Sequence, residues 1–279
     1  MKFAYSTNAY RNYTIEQTAK KISLLGYRAI ELLADVPHAW PAGILPVQID
    51  HIRSVLERYR LSISNVNAFM MNAVADPRQP YWHPSWIEPS PEYRAIRREH
   101  TKRCLQLASQ LGAHNIQTNP GGPIPNGMTR QEAYDIFYDE IMPCVEVAQT
   151  VGVDLLIEPE PQLLIEKFEQ YLEFADRIDS PRLGLNFDIG HAFCVGQNPV
   201  DWIDRLKEHT RHYHIEDINA QRVHHHLVPG EGVIDFPPIL DAIEKTEYKG
   251  WITVELYPYV DDPDTAGREA LRILKGFGK

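Results

Sequence analysis

Eight times along the chain, a short apolar run of strand length gives way to a longer stretch with helical periodicity. That alternation admits few folds, because strand–helix units in series build parallel sheets whose faces the helices cover. Strands are expected at Phe3–Ser6, Ala29–Leu33, Ser62–Asn67, His114–Asn119, Leu155–Glu160, Leu183–Asp188, His212–Asp217 and Ile252–Tyr257. Helix patterns fall between them at Thr14–Leu25, Val47–Arg60, Pro91–Leu111, Arg130–Val151, Ile165–Ile178, Pro199–His209 and Pro237–Glu244, and an eighth follows at Asp264–Leu274. Thr14, Thr129 and Ser90-Pro91 open helices as capping residues or early prolines do, and Gly26, Gly112 and Gly152 close them. Eight such units within 279 residues predict an α/β fold, a (β/α)8 TIM barrel, as one domain over residues 1–279. The competing open sheet lacks a G-x-G-x-x-G after its first strand.

Charge and leader features narrow the functional classes. A formal charge of −10 opposes a grip on phosphodiester backbones, so nucleic acid is not an expected partner. The opening MKFAYSTNAY has no apolar core followed by a cleavage site, and no run approaches the ~18 apolar residues of a membrane span. Three scattered cysteines, Cys104, Cys144 and Cys194, suggest a reducing compartment. The expectation is a cytoplasmic enzyme with no membrane partner.

The chemistry gathers at the carboxyl ends of the last four strands, the rim where barrel enzymes place their sites. In or near the ends of these strands stand Glu158, Asp188, His214 and Glu255. Neighbouring strands lie ~4.8 Å apart, so the four side chains can converge on one point. Three ionised carboxylates in one cavity repel strongly, and a divalent cation removes that repulsion. Oxygen-rich ligation with one imidazole suits Mn²⁺ first, with Mg²⁺, Co²⁺ or Zn²⁺ as alternatives.

The motifs L-L-I-E-P-E-P, N-F-D-I-G-H, H-I-E-D and T-V-E-L at these positions resemble the xylose-isomerase-like barrel superfamily. That group includes ketose 3-epimerases, hydroxypyruvate isomerase, inosose dehydratase and the endonuclease IV type of repair enzyme. The resemblance implies that Glu158, Asp188, His214 and Glu255 are metal ligands. It makes His191 a supporting or substrate-contacting histidine and turns Glu31 toward the pocket, a rim salt bridge being the other reading of Glu31. It implies a metal-dependent sugar isomerase or epimerase in which Glu158 and Glu255 move the proton through an enediolate. Asn67 and Asn119, at the tips of strands three and four, are expected to touch the substrate.

Other segments carry weaker signals. His224–His226 reads as a solvated loop that could lend one substrate contact, and Pro229-Gly230-Glu231-Gly232 as a plain turn rather than a phosphate nest. Arg222 is the nearest cation for an anionic substrate, although a solvated side chain is the stronger reading. The segment from Phe69 to Trp86 reads as a lid wall or a subunit contact, the latter implying a homo-oligomer, with ordinary packing as the third reading. The loop after strand eight, Tyr257 to Pro263, holds two acids and neither glycine nor lysine, which points to an unphosphorylated ketose, polyol or keto-cyclitol.

Rival functions differ in residues they need. A nuclease of the endonuclease IV type would carry histidines at the tips of strands three and four, where Asn67 and Asn119 stand. A Schiff-base aldolase needs a lysine in the barrel, and none lies in or just after an expected strand. A barrel that only binds sugars has little reason to keep four ligands and two glutamates. The runner-up is a lyase or dehydratase on the same metal site, acting on a keto sugar or inosose.

Overall fold

Strand parity determines which residues this chain can point into its centre. The computed structural model describes residues 1–69, 71 and 80–277. Eight parallel strands close in sequence order into a barrel: β1 (Phe3–Ser6), β2 (Ala29–Leu33), β3 (Ser62–Asn67), β4 (Asn115–Thr118), β5 (Asp154–Ile157), β6 (Leu183–Asp188), β7 (Thr210–Ile215) and β8 (Ile252–Val254). The last strand pairs with the first, Phe3 opposite Ile252 and Tyr5 opposite Val254. Around them run α1 (Ile15–Leu25), α2 (Pro46–Tyr59), α3 (Pro91–Leu111), α4 (Arg130–Val151), α5 (Phe168–Ala175), α6 (Ile189–Cys194), α7 (Pro199–Ile203), α8 (Phe236–Lys245) and α9 (Pro263–Phe277).

Alternate strand residues face opposite sides. Ile30, Leu32, Val66, Leu155, Ile157, Leu185, Phe187, Tyr213, Ile252 and Val254 form a shared apolar layer with the helices. The opposite parity carries Ser6, Glu31, Asn65, Asn67, Gln117, Asn186, His212, His214 and Thr253, all buried. Most of these polar groups pair with one another, as buried polar groups generally do, although Gln117 Nε2 has no partner among the described residues. Ser64 meets Thr253 at 2.9 Å, His212 bridges Asn186 and Thr253 at 2.8 Å each, and Asn65 donates to Glu31 at 2.8 Å.

Two register shifts tune this interior. Ile30 pairs with Ile63 but Glu31 with Asn65, so Ser64 is the extra residue on β3. Leu185 pairs with Thr210 but Asn186 with His212, so Arg211 is the extra residue on β7. Bulges re-aim the residues beyond them, and these two precede Asn65 and Asn67 on β3 and His212 and His214 on β7.

Several elements differ from expectation. Strands β5 and β8 stop before Glu158 and Glu255, which leave the ladder as the chain enters its loops. The helix after β5 covers Phe168–Ala175 rather than Ile165–Ile178, and the one before β7 covers Pro199–Ile203 rather than running to His209. A short helix, Ile189–Cys194, starts directly from Asp188, whose side chain caps it by accepting from the His191 amide at 2.7 Å. It is too short for a helical period to be read in the sequence.

The barrel's seam is held by a clasp of tyrosines against α9. Tyr5 donates to the Pro263 carbonyl at 3.0 Å, Tyr27 to that of Gly267 at 2.8 Å, and the two rings stack 5.3 Å apart. A Cβ at Gly267 would overlap the buried Tyr5 ring, whereas Gly276 on the same helix has open space. Gly→Ala in a helix gains ~1 kcal/mol, but overpacking costs about 1–3 kcal/mol and more against a rigid ring. We expect Gly267→Ala to lower the melting temperature by a few degrees and Gly276→Ala to leave it level or raise it. Equal responses in thermal unfolding would contradict this packing.

Candidate active site

His214 stands at the mouth of the barrel among four carboxylates. Its Nδ1 lies 2.7 Å from Glu158 Oε1, 3.5 Å from Glu255 Oε2 and 3.7 Å from Asp188 Oδ2, while Nε2 faces Glu31 Oε2 at 2.6 Å. One ligand atom from each of Glu158, Asp188, His214 and Glu255 lies within 4.8 Å of all the others, and all four residues are buried. Strand parity puts them there: each stands two residues beyond an inward position, after Leu156, Asn186, His212 and Thr253 respectively.

One imidazolium cannot balance four carboxylates. Burial pushes the Glu255 carboxyl well above its usual range; His214 opposes this, while Glu158, Glu31 and Asp188 add to it. Burial works against a charged His214, yet Glu31, Glu255 and Glu158 raise it well above an ordinary imidazole. Burial also disfavours Asp188 ionisation, but His191 and His214 hold its carboxyl well below its usual range. Asp188 Oδ2 nevertheless has no hydrogen-bond partner. A divalent cation fits this donor set, since it supplies the missing positive charge and takes up the orphaned oxygen.

The supporting contacts suit that role. Were a cation to take Nδ1 in place of the Glu158 contact, His214 would keep its proton on Nε2 and donate it to Glu31, which would fix the tautomer and ring plane. Glu31 in turn accepts from Ser6 Oγ and Asn65 Nδ2, each at 2.8 Å. Glu255 accepts through Oε1 from Asn8 Nδ2 at 2.8 Å and Asn67 Nδ2 at 3.2 Å, which leaves Oε2 toward His214.

A cavity of about 250 Å³ opens over these groups, lined by Asn67, Glu158, His191 and Glu255 together with Arg11, Phe69, Tyr81, Glu160, His224, His226 and Tyr257. A larger hollow of about 830 Å³ lies at the opposite end, among residues that begin strands, such as Ser62, Asn115 and Asp154. Volume alone does not make it the site, because the convergent titratable groups are at the other rim.

Not every expected contact reaches the cavity. Asn119 is buried elsewhere, donating to the Trp82 carbonyl at 3.3 Å and accepting from the Gly121 amide at 3.4 Å. As a correction, Arg222 is not a cavity contact: its guanidinium donates to the Phe193 carbonyl at 2.8 Å and lies over that ring. Glu31 sits behind His214 rather than at the lining. His224 and His226 are not solvated, and both face the cavity; only His225 of the triplet is exposed.

The reason lies in the loop after β7. The amides of Gly230 and Gly232 donate to Asp217 Oδ2 at 2.8 and 2.9 Å, and those of Ile218 and Ile234 to Oδ1 at 2.9 and 3.0 Å. The glycine turn is thus an amide nest already filled by the chain's own carboxylate, and it folds the histidines back over the barrel. Of the aromatic segment, Phe69 and Tyr81 line the cavity, Trp86 is core, and Met70 lies outside the described residues.

The sequence reading missed Asn8, Arg11, Glu160 and Tyr257 as groups around this site. For Glu160 a signal existed, since I-E-P-E-P continues the strand's parity two residues past Glu158. Glu160 accepts from Tyr81 OH at 2.6 Å, and burial, aided by Glu158 and resisted by His191, raises its carboxyl to about 7.

Residues 19–277 match the family model described as the xylose isomerase-like TIM barrel. Among curated proteins, the fructoselysine 3-epimerase of Escherichia coli O157:H7 is 24% identical, with 99% of this chain and 98% of that protein covered. The inosose dehydratase of Clostridium beijerinckii is 21% identical, covering 94% of this chain and 89% of its own. A solved structure of the IolI protein with a bound zinc atom superposes with a TM-score of 0.79 over 99% of this chain and 98% of that one, at 17% identity.

The Glu31–His214 contact yields a direct test. Glu31→Gln keeps the shape but weakens the acceptor that fixes the imidazole, and losses of such outer partners typically lower metal affinity about 10–100-fold. Isothermal titration with Mn²⁺ should read that loss. An unchanged Kd would contradict the orienting role.

Proposed function

This chain belongs to the xylose isomerase-like TIM barrel family, and we propose that it is a metal-dependent sugar isomerase or epimerase working by proton transfer on an unphosphorylated ketose or related polyol. The observation that carries the proposal is the pairing of two glutamates, Glu158 and Glu255, which line one cavity and both approach His214 Nδ1. The reading makes Glu158, Asp188, His214 and Glu255 the cation's holders, with Mn²⁺ favoured by three carboxylates and one imidazole. When bound, the cation would draw charge from a carbonyl and its adjacent hydroxyl and so acidify the neighbouring C–H. Glu158 and Glu255 then act as the base and acid that remove and return the carbon-bound proton. Asn8 and Asn67 hold Glu255 in place for that exchange, and Phe69, Tyr81 and Tyr257 wall the cavity against water.

Support for an unphosphorylated substrate comes from the loop after β7, whose amide nest is filled by Asp217. Asp261 and Asp262 beyond β8 add negative charge to the same rim.

A dehydratase is the second reading, favoured by one observation. Glu160, raised to about 7 and hydrogen-bonded to Tyr81, is a third carboxyl in the cavity that can donate a proton to a departing hydroxyl. The two reactions share the first proton removal and diverge at the next step.

Incubation with Mn²⁺ and a panel of ketoses, inososes and 3-keto glycosides in D₂O separates them. We expect deuterium at one stereocentre of a product otherwise unchanged in mass, followed by NMR and mass spectrometry. Glu158→Gln and Glu255→Gln should each slow the exchange by roughly 10²–10⁴-fold. Loss of water would move the assignment to the dehydratase; no exchange with any substrate would remove both. Prolonged chelation should abolish turnover and lower the melting temperature, since a ligand at 100 times its Kd stabilises by about 2.7 kcal/mol. Activity and melting indifferent to chelation would refute metal dependence.

A further inference from the structure

We infer that the substrate carries a carboxylate and that Arg11 receives it, so that the molecule taken up is a ketose acid rather than a neutral ketose. The inference rests on the proposed proton-transfer reaction and names the class of molecule that enters it. Arg11 is the one lysine or arginine among the described residues that line the cavity. Arg222, the other cation near this rim, is turned onto Phe193. Arg11 is half-buried, and its Nε is shut off from solvent with no hydrogen-bond partner. Nor does its guanidinium form an ion pair with any described residue.

The backbone beneath this side chain is held on both sides. Arg11 follows the short turn Thr7–Tyr10 that leaves β1. Before it, Tyr10 OH donates to Asp264 Oδ1 at 2.9 Å; after it, Asn12 Nδ2 donates to the Val260 carbonyl at 3.3 Å. Asn8, in the same turn, reaches Glu255. The loop that carries Arg11 is therefore tied to the segment after β8 and to one of the two proton-transfer glutamates. A guanidinium presented from a fixed loop loses less freedom when it pairs with a ligand.

The chemistry of the fork selects the ligand. A guanidinium presents parallel N–H donors that match the two oxygens of a carboxylate, and such charge-assisted pairs contribute roughly 10–100-fold in affinity. A hydroxyl would meet one N–H and leave the charge unanswered. A phosphate dianion needs more donors than one guanidinium offers, and the amide nest after β7 is filled by Asp217. Its double charge would also face Glu158, Glu160 and Glu255 on the same walls. A monoanion is what this cavity accommodates. Tyr257 shares the lining; burial first, then the charges of Glu255 and Glu160, push its phenol well above its usual range, so it remains a donor.

The test compares ketoses that differ only at the terminal carbon remote from the carbonyl, a hydroxymethyl in one and a carboxylate in the other. D-fructose is set against D-fructuronate, and D-tagatose against D-tagaturonate, each titrated by calorimetry into the Mn²⁺-loaded full chain. The uronate of at least one pair should bind the wild type roughly 10–100-fold more tightly than its neutral partner. Arg11→Gln should bring that pair to within about threefold of each other, chiefly by weakening the uronate, and Arg11→Lys, which keeps the charge without the fork, should fall between. Circular dichroism establishes that both variants are folded. Deuterium exchange at carbon, read separately, distinguishes the substrate class from the reaction. A uronate bound through Arg11 that exchanges no carbon-bound proton supports the carboxylate assignment and removes the proposed reaction. A wild type that binds neither uronate more tightly than its neutral partner overturns the assignment, and exchange of the neutral ketoses in that case leaves the reaction standing. A uronate preference that survives Arg11→Gln undiminished also overturns it.

Discussion

The buried contact of His214 with Glu31 on one side and Glu158 on the other is the constraint around which the barrel's interior is arranged. A charged or strongly polar cluster in a low-dielectric centre persists only if its members are paired. Here the pairing extends inward: Glu31 is held by Ser6 and Asn65, and His212 beneath His214 is tied to Asn186 and Thr253. The usual branched apolar filling of a small barrel gives way, at these positions, to a hydrogen-bonded polar column. That column cannot supply enough positive charge for the carboxylates above it. A cation is what the fold leaves room for.

Rigid and irregular elements divide the work. Strands and their bulges fix Glu31, Asp188 and His214, whose geometry tolerates little movement. Glu158 and Glu255 stand just past the last ladder bonds of β5 and β8, where the chain is turning into its loops. Side chains that would exchange protons benefit from such freedom, and Asn8 and Asn67 limit it for Glu255. The loops then provide the walls, with Phe69 and Tyr81 from one segment, His224 and His226 from another, and Tyr257 from a third.

The range of the forces involved decided how much of this was legible in the sequence. Strand parity is local, so β1, β2, β3 and β6 were read to the residue, and so were the four tips that meet at the rim. The paired register of β7 with β6 is not local, and the strand begins at Thr210 instead of His212 because Arg211 bulges. The three histidines after β7 looked like a solvated loop because composition says nothing of where a loop folds. The inward turn of His224 and His226 depends on Asp217 gathering amides up to seventeen residues ahead, from Gly230, Gly232 and Ile234, while His225 stays exposed. Arg222 stays exposed, in keeping with its solvated reading, and a nearby carbonyl and the Phe193 ring take up its guanidinium. Asn119 was correctly placed at a strand tip, but its amide is used within its own loop and on Trp82.

Everything proposed for the reaction requires one cation among Glu158, Asp188, His214 and Glu255. Anomalous diffraction from crystals grown with Mn²⁺, collected at wavelengths on either side of the manganese edge, reads this directly. A cation held there gives a peak of manganese-dependent anomalous density within bonding distance of His214 Nδ1 and an oxygen of each of the three carboxylates. Well-ordered side chains around a point that carries no such density, at a Mn²⁺ concentration that supports turnover, would contradict it.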